Sequence, residues 1–420
     1  MLLKLFAYFK TATIRQTTIT FSSTFINGLL GLAFYILVAR FLGPEAFGLF
    51  NVTIVLITMV SDIADLGTNT GIVSFVGRYF IKSKALAYKY LKLGLIVKIT
   101  LGVLVIILGE ILSGFIALDL FQKKEILILL RVGFVGALGY LIFGFATSCL
   151  QATQKFFRWA LLYIGTNLIR LLLIITFFLL GILTKELTTF VYFLVLFLGF
   201  LFFLLIFPTN FLYYKTEPKI VKNFLHFNKW VAAFIVVSAL SSRIDSFISV
   251  RLLAPLDLGF YSAANQLVQV VPQFVSALGI VIAPKMASMG KRESFISYFK
   301  KTQLLVTAFC IIGALATPVM AFLIPLVLGD VYLGSQIIFV ILMIAMLIFL
   351  FSVPIHSAVI YYFSYPRLFF WLSLIHLFTV LTLGVILIRF FGAVGASLAV
   401  LVGSMLNFVV PCGWLVRKLR

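Results

Sequence analysis

Apolar runs of about twenty residues recur along the chain from residue 17 onward, each closed by a short cluster of charged or turn-forming residues. A run of that length is what an α-helix needs to cross about 30 Å of hydrocarbon. The runs predict helices over 17–39, 48–70, 93–112, 126–150, 159–181, 189–211, 230–252, 259–284, 303–325, 336–361, 368–388 and 393–414. A closed β-barrel would show alternating segments of about ten residues instead. The pattern therefore predicts an all-α polytopic membrane protein with twelve transmembrane helices and no soluble domain.

Composition agrees with lipid as the solvent. Hydrophobic residues make up 63% of the 420 positions and charged ones only 11%, with a mean hydropathy of +1.21, which excludes a water-facing surface. A net charge of +21 would point to nucleic acid in a soluble protein. Here the basic residues sit between spans, where they set topology, and no nucleic-acid partner is needed. With the N-terminus in the cytoplasm, 23 of the 33 Lys and Arg fall on that side, 6 outside and 4 within spans. The acids agree, because Glu217 and Glu293 alone are cytoplasmic, whereas Glu45, Glu110, Asp119, Glu125, Glu186, Asp257 and Asp330 lie outside or at the outer edge. Both termini are expected in the cytoplasm of a multi-pass protein of the cell (inner or plasma) membrane. Met1 to Arg15, with Lys4, Lys10 and Arg15 among Leu and Phe, reads as an interfacial amphipathic start to the first helix. None of the outer loops reaches twenty residues, so function is expected inside the membrane.

An internal repeat divides the chain. Shifted by 211 residues, Arg40-Phe-Leu42-Gly-Pro44-Glu-Ala-Phe-Gly48-Leu-Phe50 falls on Arg251-Leu-Leu253-Ala-Pro255-Leu-Asp-Leu-Gly259-Phe-Tyr261. Arg, Leu, Pro and Gly coincide, on the outer turn between the first two helices of each half. The expectation is two pseudo-symmetric six-helix bundles, 1–211 and 212–420, related by a two-fold along the membrane normal around a central cavity.

The same offset relates two polar stripes. Thr58, Asp62, Asp65 and Asn69, spaced by four, three and four, share a face of the second helix. Asn265, Gln269, Gln273 and Ser276 form a comparable stripe in the second half. Two readings are open: hydrogen bonding between packed helices, or the lining of one aqueous cavity. With Glu110 and Arg251 counted at the outer edge, seven charged residues fall within spans: Asp62, Asp65, Lys98, Arg131, Arg170, Arg243 and Asp245. Each costs roughly 2.5–3.5 kcal/mol at the centre of a span, so it must face protein or water. Lys98 and Arg131 lie near helix ends, where snorkelling is the competing explanation. For Arg170 and Arg243 the bland reading is a buried ion pair, for instance Arg243 with Asp245. The functional reading makes Arg170 and Arg243, with Arg131, a cationic site for an anionic group such as a pyrophosphate, which a guanidinium fork binds through two oxygens at once. Asp62 and Asp65 are then either coupling sites for a cation, H+ or Na+, or counter-ions to the arginines.

Other chemistry finds no support in the sequence. There is no Gly-x-x-x-x-Gly-Lys-Ser/Thr phosphate loop. His226, His356 and His376 are far apart and have no Cys or acidic neighbours at ligand spacing, so no metal or other cofactor is expected. Gly133, Gly136 and Gly139 recur every three residues inside an apolar helix, as close helix packing requires. Cys149, Cys310 and Cys412 lie in or at the end of spans and read as small core residues.

The segment Ala39-Arg40-Phe-Leu42-Gly43-Pro44-Glu-Ala-Phe-Gly48, followed by Asp65-Leu66-Gly67 and Arg78, resembles the opening of polysaccharide transporter family proteins. That family includes Wzx-type O-antigen flippases and belongs to the superfamily of multidrug, oligosaccharidyl-lipid and polysaccharide exporters. Gly392-Ala-Val-Gly395-Ala396-Ser-Leu-Ala399 is similar to the small-residue opening of its last helix. The second turn departs from the first, with Ala254 and Leu256 in place of Gly43 and Glu45. The resemblance implies a V-shaped bundle with a cationic cavity, alternating access, a polyprenyl-diphosphate-linked oligosaccharide as cargo, and the polysaccharide polymerase machinery as a partner. The rival expectations are a cation-coupled multidrug antiporter of the same superfamily, whose cavity should be acidic, and a membrane glycan polymerase or ligase, which would need a long outer loop. A transporter, not an enzyme, is the expectation.

Overall fold

The computed structural model describes residues 12–419 and is helical almost throughout, with no strand among the described residues. Lys4 and Lys10 of the expected amphipathic N-terminal stretch lie outside the described residues. In chain order the helices are α1 (Ala12–Asp65), α2 (Thr68–Tyr79), α3 (Lys84–Gly114), α4 (Leu127–Ala152), α5 (Phe156–Leu179) and α6 (Lys185–Ile206). There follow α7 (Pro218–Leu252), α8 (Pro255–Val268), α9 (Val270–Ala287), α10 (Arg292–Leu328), α11 (Ser335–Ser357) and α12 (Arg367–Leu419).

Nine stretches among the described residues are long and apolar enough to cross a bilayer. Two of them, Ile19–Asp65 and Arg367–Leu419, run for 47 and 53 residues, about twice what one crossing uses. Each leaves helical geometry at a glycine, Gly43 at φ 75° and ψ 170° and Gly392 at φ 56° and ψ −135°. With the two arms at each glycine taken separately, and α8 with α9 taken as one interrupted crossing, the segments number twelve, as the apolar runs predict. Local sequence sets several of the starts. Ser83 and Thr184 cap α3 and α6 by accepting the amides of Leu86 and Leu187 at 3.4 and 3.2 Å, and Pro255 opens α8 where its missing N–H is harmless.

Two expected spans are broken rather than continuous. The run over 48–70 ends as a helix at Asp65, because Leu66 and Gly67 take φ of 47° and 74° before α2 restarts at Thr68. The run over 259–284 is interrupted at Gln269, and Pro272 in the first turn of α9 has no N–H to continue the ladder of α8.

Contacts group the chain into two compact units. One holds the described residues up to Phe41 together with Thr53–Ala239, the other Leu42–Val52 together with Leu240 to the end of the described chain. In the first unit α4 is the hub, and its glycines are where partners come closest. A Cβ on Gly136 would lie 2.1 Å from Cγ of Phe193, one on Gly133 2.5 Å from Cγ1 of Ile57, and one on Gly139 2.7 Å from Cε2 of Phe197. Their spacing serves helix packing.

In the second unit the two copies of the repeated turn meet. A Cβ on Gly48 would lie 2.6 Å from the Gly259 nitrogen, and one on Gly259 would lie 2.0 Å from the Pro44 carbonyl oxygen. Asn51 accepts the Gln266 amide at 2.7 Å, and Phe47 and Phe260 both place their rings edge-on to the buried Tyr332. Pro44, Gly48 and Gly259 thus form one backbone contact, while Arg40 and Arg251 are exposed. Gly43 needs its positive φ, whereas Ala254 sits at φ −64° and ψ 155°, so the first copy requires glycine and the second does not.

Candidate functional site

The end of α1 and the start of α2 build a buried polar centre in the first unit. Asp65 ends α1, and its carboxylate accepts the Thr68 hydroxyl at 2.7 Å and the Asn69 backbone amide at 3.2 Å, so it satisfies one of the amides that the start of α2 leaves without a helical partner. Lys98 of α3, fully buried, donates to the same carboxylate and to Oδ1 of Asn69 at 2.8 Å. Ser148 of α4 donates to that Asn69 oxygen at 2.9 Å. Gly144 makes the room, since a Cβ there would come within 3.1 Å of the Asn69 amide nitrogen and 3.6 Å of the Lys98 ammonium. One turn earlier on α1, Asp62 accepts the Tyr140 hydroxyl at 3.0 Å. Thr58 bonds back to the Ile54 carbonyl at 2.8 Å.

The stripe of Thr58, Asp62, Asp65 and Asn69 is therefore not one helix face. The glycine break moves Asn69 onto α2, and the carboxylate of Asp65 bridges the two helices. Of the two explanations open for Lys98, the structure has it facing protein. Sequence reasoning did not join Lys98 to Asp65, although the signal was there: both lie five residues from the inner end of their expected spans, at one depth on consecutive helices.

A second centre surrounds Arg170 in the middle of α5. Its guanidinium donates to Oδ1 of Asn167 at 2.9 Å and to the Tyr192 carbonyl at 3.3 Å. It lies 4.1 Å from the Tyr192 ring centre and 5.5 Å from that of Phe34, while Asn167 in turn bonds Asn27 of α1. The residue is 8% exposed, its Nε has no hydrogen-bond partner, and no carboxylate lies within ion-pair distance of it among the described residues. Arg131 has different surroundings. It meets Glu110 at 3.7 Å and Ser113 at 3.3 Å, with its side chain 55% exposed.

In the second unit Arg243 and Asp245 both lie on α7, half-buried. The Asp245 carboxylate accepts the hydroxyl of Tyr261 of α8 at 2.5 Å and that of Ser246 at 3.4 Å. The second stripe divides at the α8–α9 break. Asn265 accepts the exposed Gln269 amide at 3.4 Å, Gln273 is exposed, and the Ser276 hydroxyl returns to the Pro272 carbonyl at 3.0 Å. Gln266, which the sequence did not single out, makes the contact with Asn51.

Nine stretches among the described residues, long and apolar enough to cross a bilayer and with charged groups held among them, define a class, the multi-pass membrane proteins. The model of the polysaccharide biosynthesis protein family matches residues 13–290, and the chain belongs to that family. Among solved structures it is similar to an inward-facing multidrug resistance MATE family transporter of the MOP superfamily, with a TM-score of 0.74 at 16% identity over 94% of each chain. It is similar as well to the lipid II flippase MurJ in an inward closed conformation, with a TM-score of 0.75 at 16% identity over 94% of this chain and 87% of that one. A MOP superfamily transporter from Pyrococcus furiosus, with a binding pocket of reverse polarity, gives a TM-score of 0.56 at 16% identity over 97% of this chain and 95% of that one. No curated protein matches in sequence. The chain thus has the fold of MOP superfamily transporters.

Proposed function

We propose that this protein is a flippase that carries a polyprenyl-diphosphate-linked oligosaccharide, the repeat unit of an O-antigen, capsule or similar glycan, from the cytoplasmic to the outer leaflet by alternating access. The observation that carries the reading is Arg170: a cation buried in the middle of a span, positioned by Asn167 and Tyr192, with no carboxylate beside it among the described residues. Burying an uncompensated charge is expensive unless a partner arrives, and a diphosphate is a partner that a guanidinium binds with two oxygens. Asp65 does not offer the opposite charge to a cationic drug, since Lys98 already occupies its carboxylate. Family membership in polysaccharide biosynthesis supports the same reading.

A glycan and a diphosphate cannot cross hydrocarbon unaided, because each unpaired polar group taken from water costs several kcal/mol. A wet, basic path removes most of that barrier while the polyprenyl tail stays in lipid. Arg170 would hold a phosphate, with Arg131 towards the outer end of its span and Arg243 a further candidate in the second unit; Asp65 would hold the local charge balance with Lys98, and Asp62 or Asp245 would couple a cation. The polar side chains of Asn69, Asn265, Gln269 and Gln273 would hydrogen-bond the sugars. Arg170→Ala and Arg243→Ala are each expected to abolish surface glycan at unchanged protein level; normal glycan in either variant removes that arginine from the site. The wider test is deletion of the gene in its host, with lipid-linked intermediates analysed by leaflet. Accumulation of the repeat unit on the cytoplasmic leaflet is the expected result. Unchanged glycan with sensitivity to cationic drugs would establish the antiporter, and unpolymerised glycan already on the outer leaflet would indicate a polymerase.

A further inference from the structure

The first unit holds a second basic feature, away from the spans' charged residues. The end of α2, the first turns of α3 and the first turns of α7 enclose an open cleft of about 760 Å3. Its wall is a stack of three rings in which Tyr90 is central, with Phe75 at 4.6 Å and 11° on one side and Tyr79 at 5.9 Å and 2° on the other. Arg78, Lys222, Asn223 and His226, all exposed, add polar groups to the lining, and Phe227 and Val231 add apolar ones. No acid lines the cleft, and no carboxylate is within ion-pair distance of Arg78, Lys222 or His226 among the described residues. Glu217, the residue before α7, is taken by Lys89. On α7, Asn228 is 4% exposed against Gly71 of α2, and neither its amide nitrogen nor its oxygen has a partner in the protein.

We propose that this cleft binds the phosphorylated headgroup of a membrane-anchored amphiphile at the cytoplasmic surface. Topology alone explains why Lys and Arg gather on this side. It does not explain why two of them, with a histidine, rim an aromatic-walled concavity from which carboxylates are missing. Arg78 offers a fork of donors and Lys222 a point charge, the pair of donor types suited to a phosphate. The rings offer apolar surface to whatever the phosphate carries, and amphipathic aromatic residues favour the membrane interface. Basic pockets between helix ends on the cytoplasmic side are where anionic lipid headgroups are held. The shared chemistry is a phosphate ester or diphosphate on a lipid anchor, whose source is either the bulk phospholipid of the inner leaflet or a polyprenyl diphosphate.

The test is lipid retention by the purified full-length protein, followed by native mass spectrometry with phosphatidylglycerol, a polyprenyl diphosphate and phosphatidylcholine as probes. The wild type is expected to keep the two anionic probes and release phosphatidylcholine. Arg78→Ala with Lys222→Ala should lower retention of the anionic probe about tenfold or more, the size of a lost charge-assisted contact. Lys82→Ala with Lys84→Ala, equal in charge but outside the lining, should change it by less than about twofold. Displacement of phosphatidylglycerol by the polyprenyl diphosphate assigns the cleft to the cargo, and the reverse assigns it to bulk lipid; both support a phosphate site. Equal retention of phosphatidylcholine, or unchanged retention in the Arg78 and Lys222 double variant, overturns it. Binding is read on isolated protein, so the site stands or falls separately from the flipping reading, which is read by glycan in cells.

Discussion

Lys98 and Asp65 show how a single buried pair governs its surroundings. Removing one member leaves the other charged in a dry interior, which costs about 3–5 kcal/mol, whereas replacing both with neutral groups of similar volume is close to neutral. Lys98→Met should therefore lower the unfolding temperature in detergent sharply, and Asp65→Asn combined with Lys98→Met should recover most of the loss. Equal destabilisation in the single and double variants would mean that the pair is not held as a unit. Part of this centre was legible in the sequence. The acids at 62 and 65 and the lysine at 98 stood out as charges inside apolar runs. Their bonds did not, because hydrogen-bonding partners such as Tyr140 and Ser148 lie on a helix some 80 residues away and carry no signal of their own. Arg170 was legible by depth alone; its rings, Phe34 and Tyr192, come from two other helices.

Among the elements, the glycines separate into positions that need backbone freedom and positions that need room. Gly43, at φ 75° and ψ 170°, occupies a region that side chains tolerate at about 1–3 kcal/mol. Gly43→Ala should destabilise by that amount, while Ala254→Gly, in ordinary extended backbone, should change stability by less than about 1 kcal/mol. Gly259→Ala acts through space instead. Its Cβ would fall 2.0 Å from the Pro44 carbonyl, so the backbones must part, at about 1–3 kcal/mol. Thermal denaturation of the three variants in one detergent checks all of these, and a neutral Gly259→Ala would contradict the contact. The repeat was visible in the sequence as an alignment; that its two copies touch was not, since matching by offset says which positions correspond and nothing about which ones meet. The interruptions at Leu66–Gly67 and Gln269 escaped for a related reason: apolar content counts a run as continuous wherever its backbone turns.

For the molecule as a whole, spans, their order and the fold class followed from hydrophobic length and charge, the two quantities a bilayer acts on most directly. The compact units were less accessible. The sequence led to halves of 1–211 and 212–420, whereas contacts place Leu42–Val52 with the later residues and the first turns of α7, through Ala239, with the earlier ones. Hydropathy determines that a segment enters lipid, while side-chain shape determines which neighbour it keeps.

The position of the Lys98–Asp65 pair has a consequence for how the chain is made. The two residues are 33 positions apart on successive spans, so the ammonium and the carboxylate can meet as soon as the third span follows the second out of the insertion machinery. A lone charge entering the bilayer at that stage would favour retention in water by roughly 2.5–3.5 kcal/mol. A nascent hairpin that leaves as one neutral object avoids that cost, and Ser148 then arrives to an arrangement already made. In a glycosylation-scored insertion assay, chains stopped after the third span should insert less well with Lys98 alone or Asp65 alone than with both or neither. Equal insertion of all four would mean that the pair forms only after synthesis is complete.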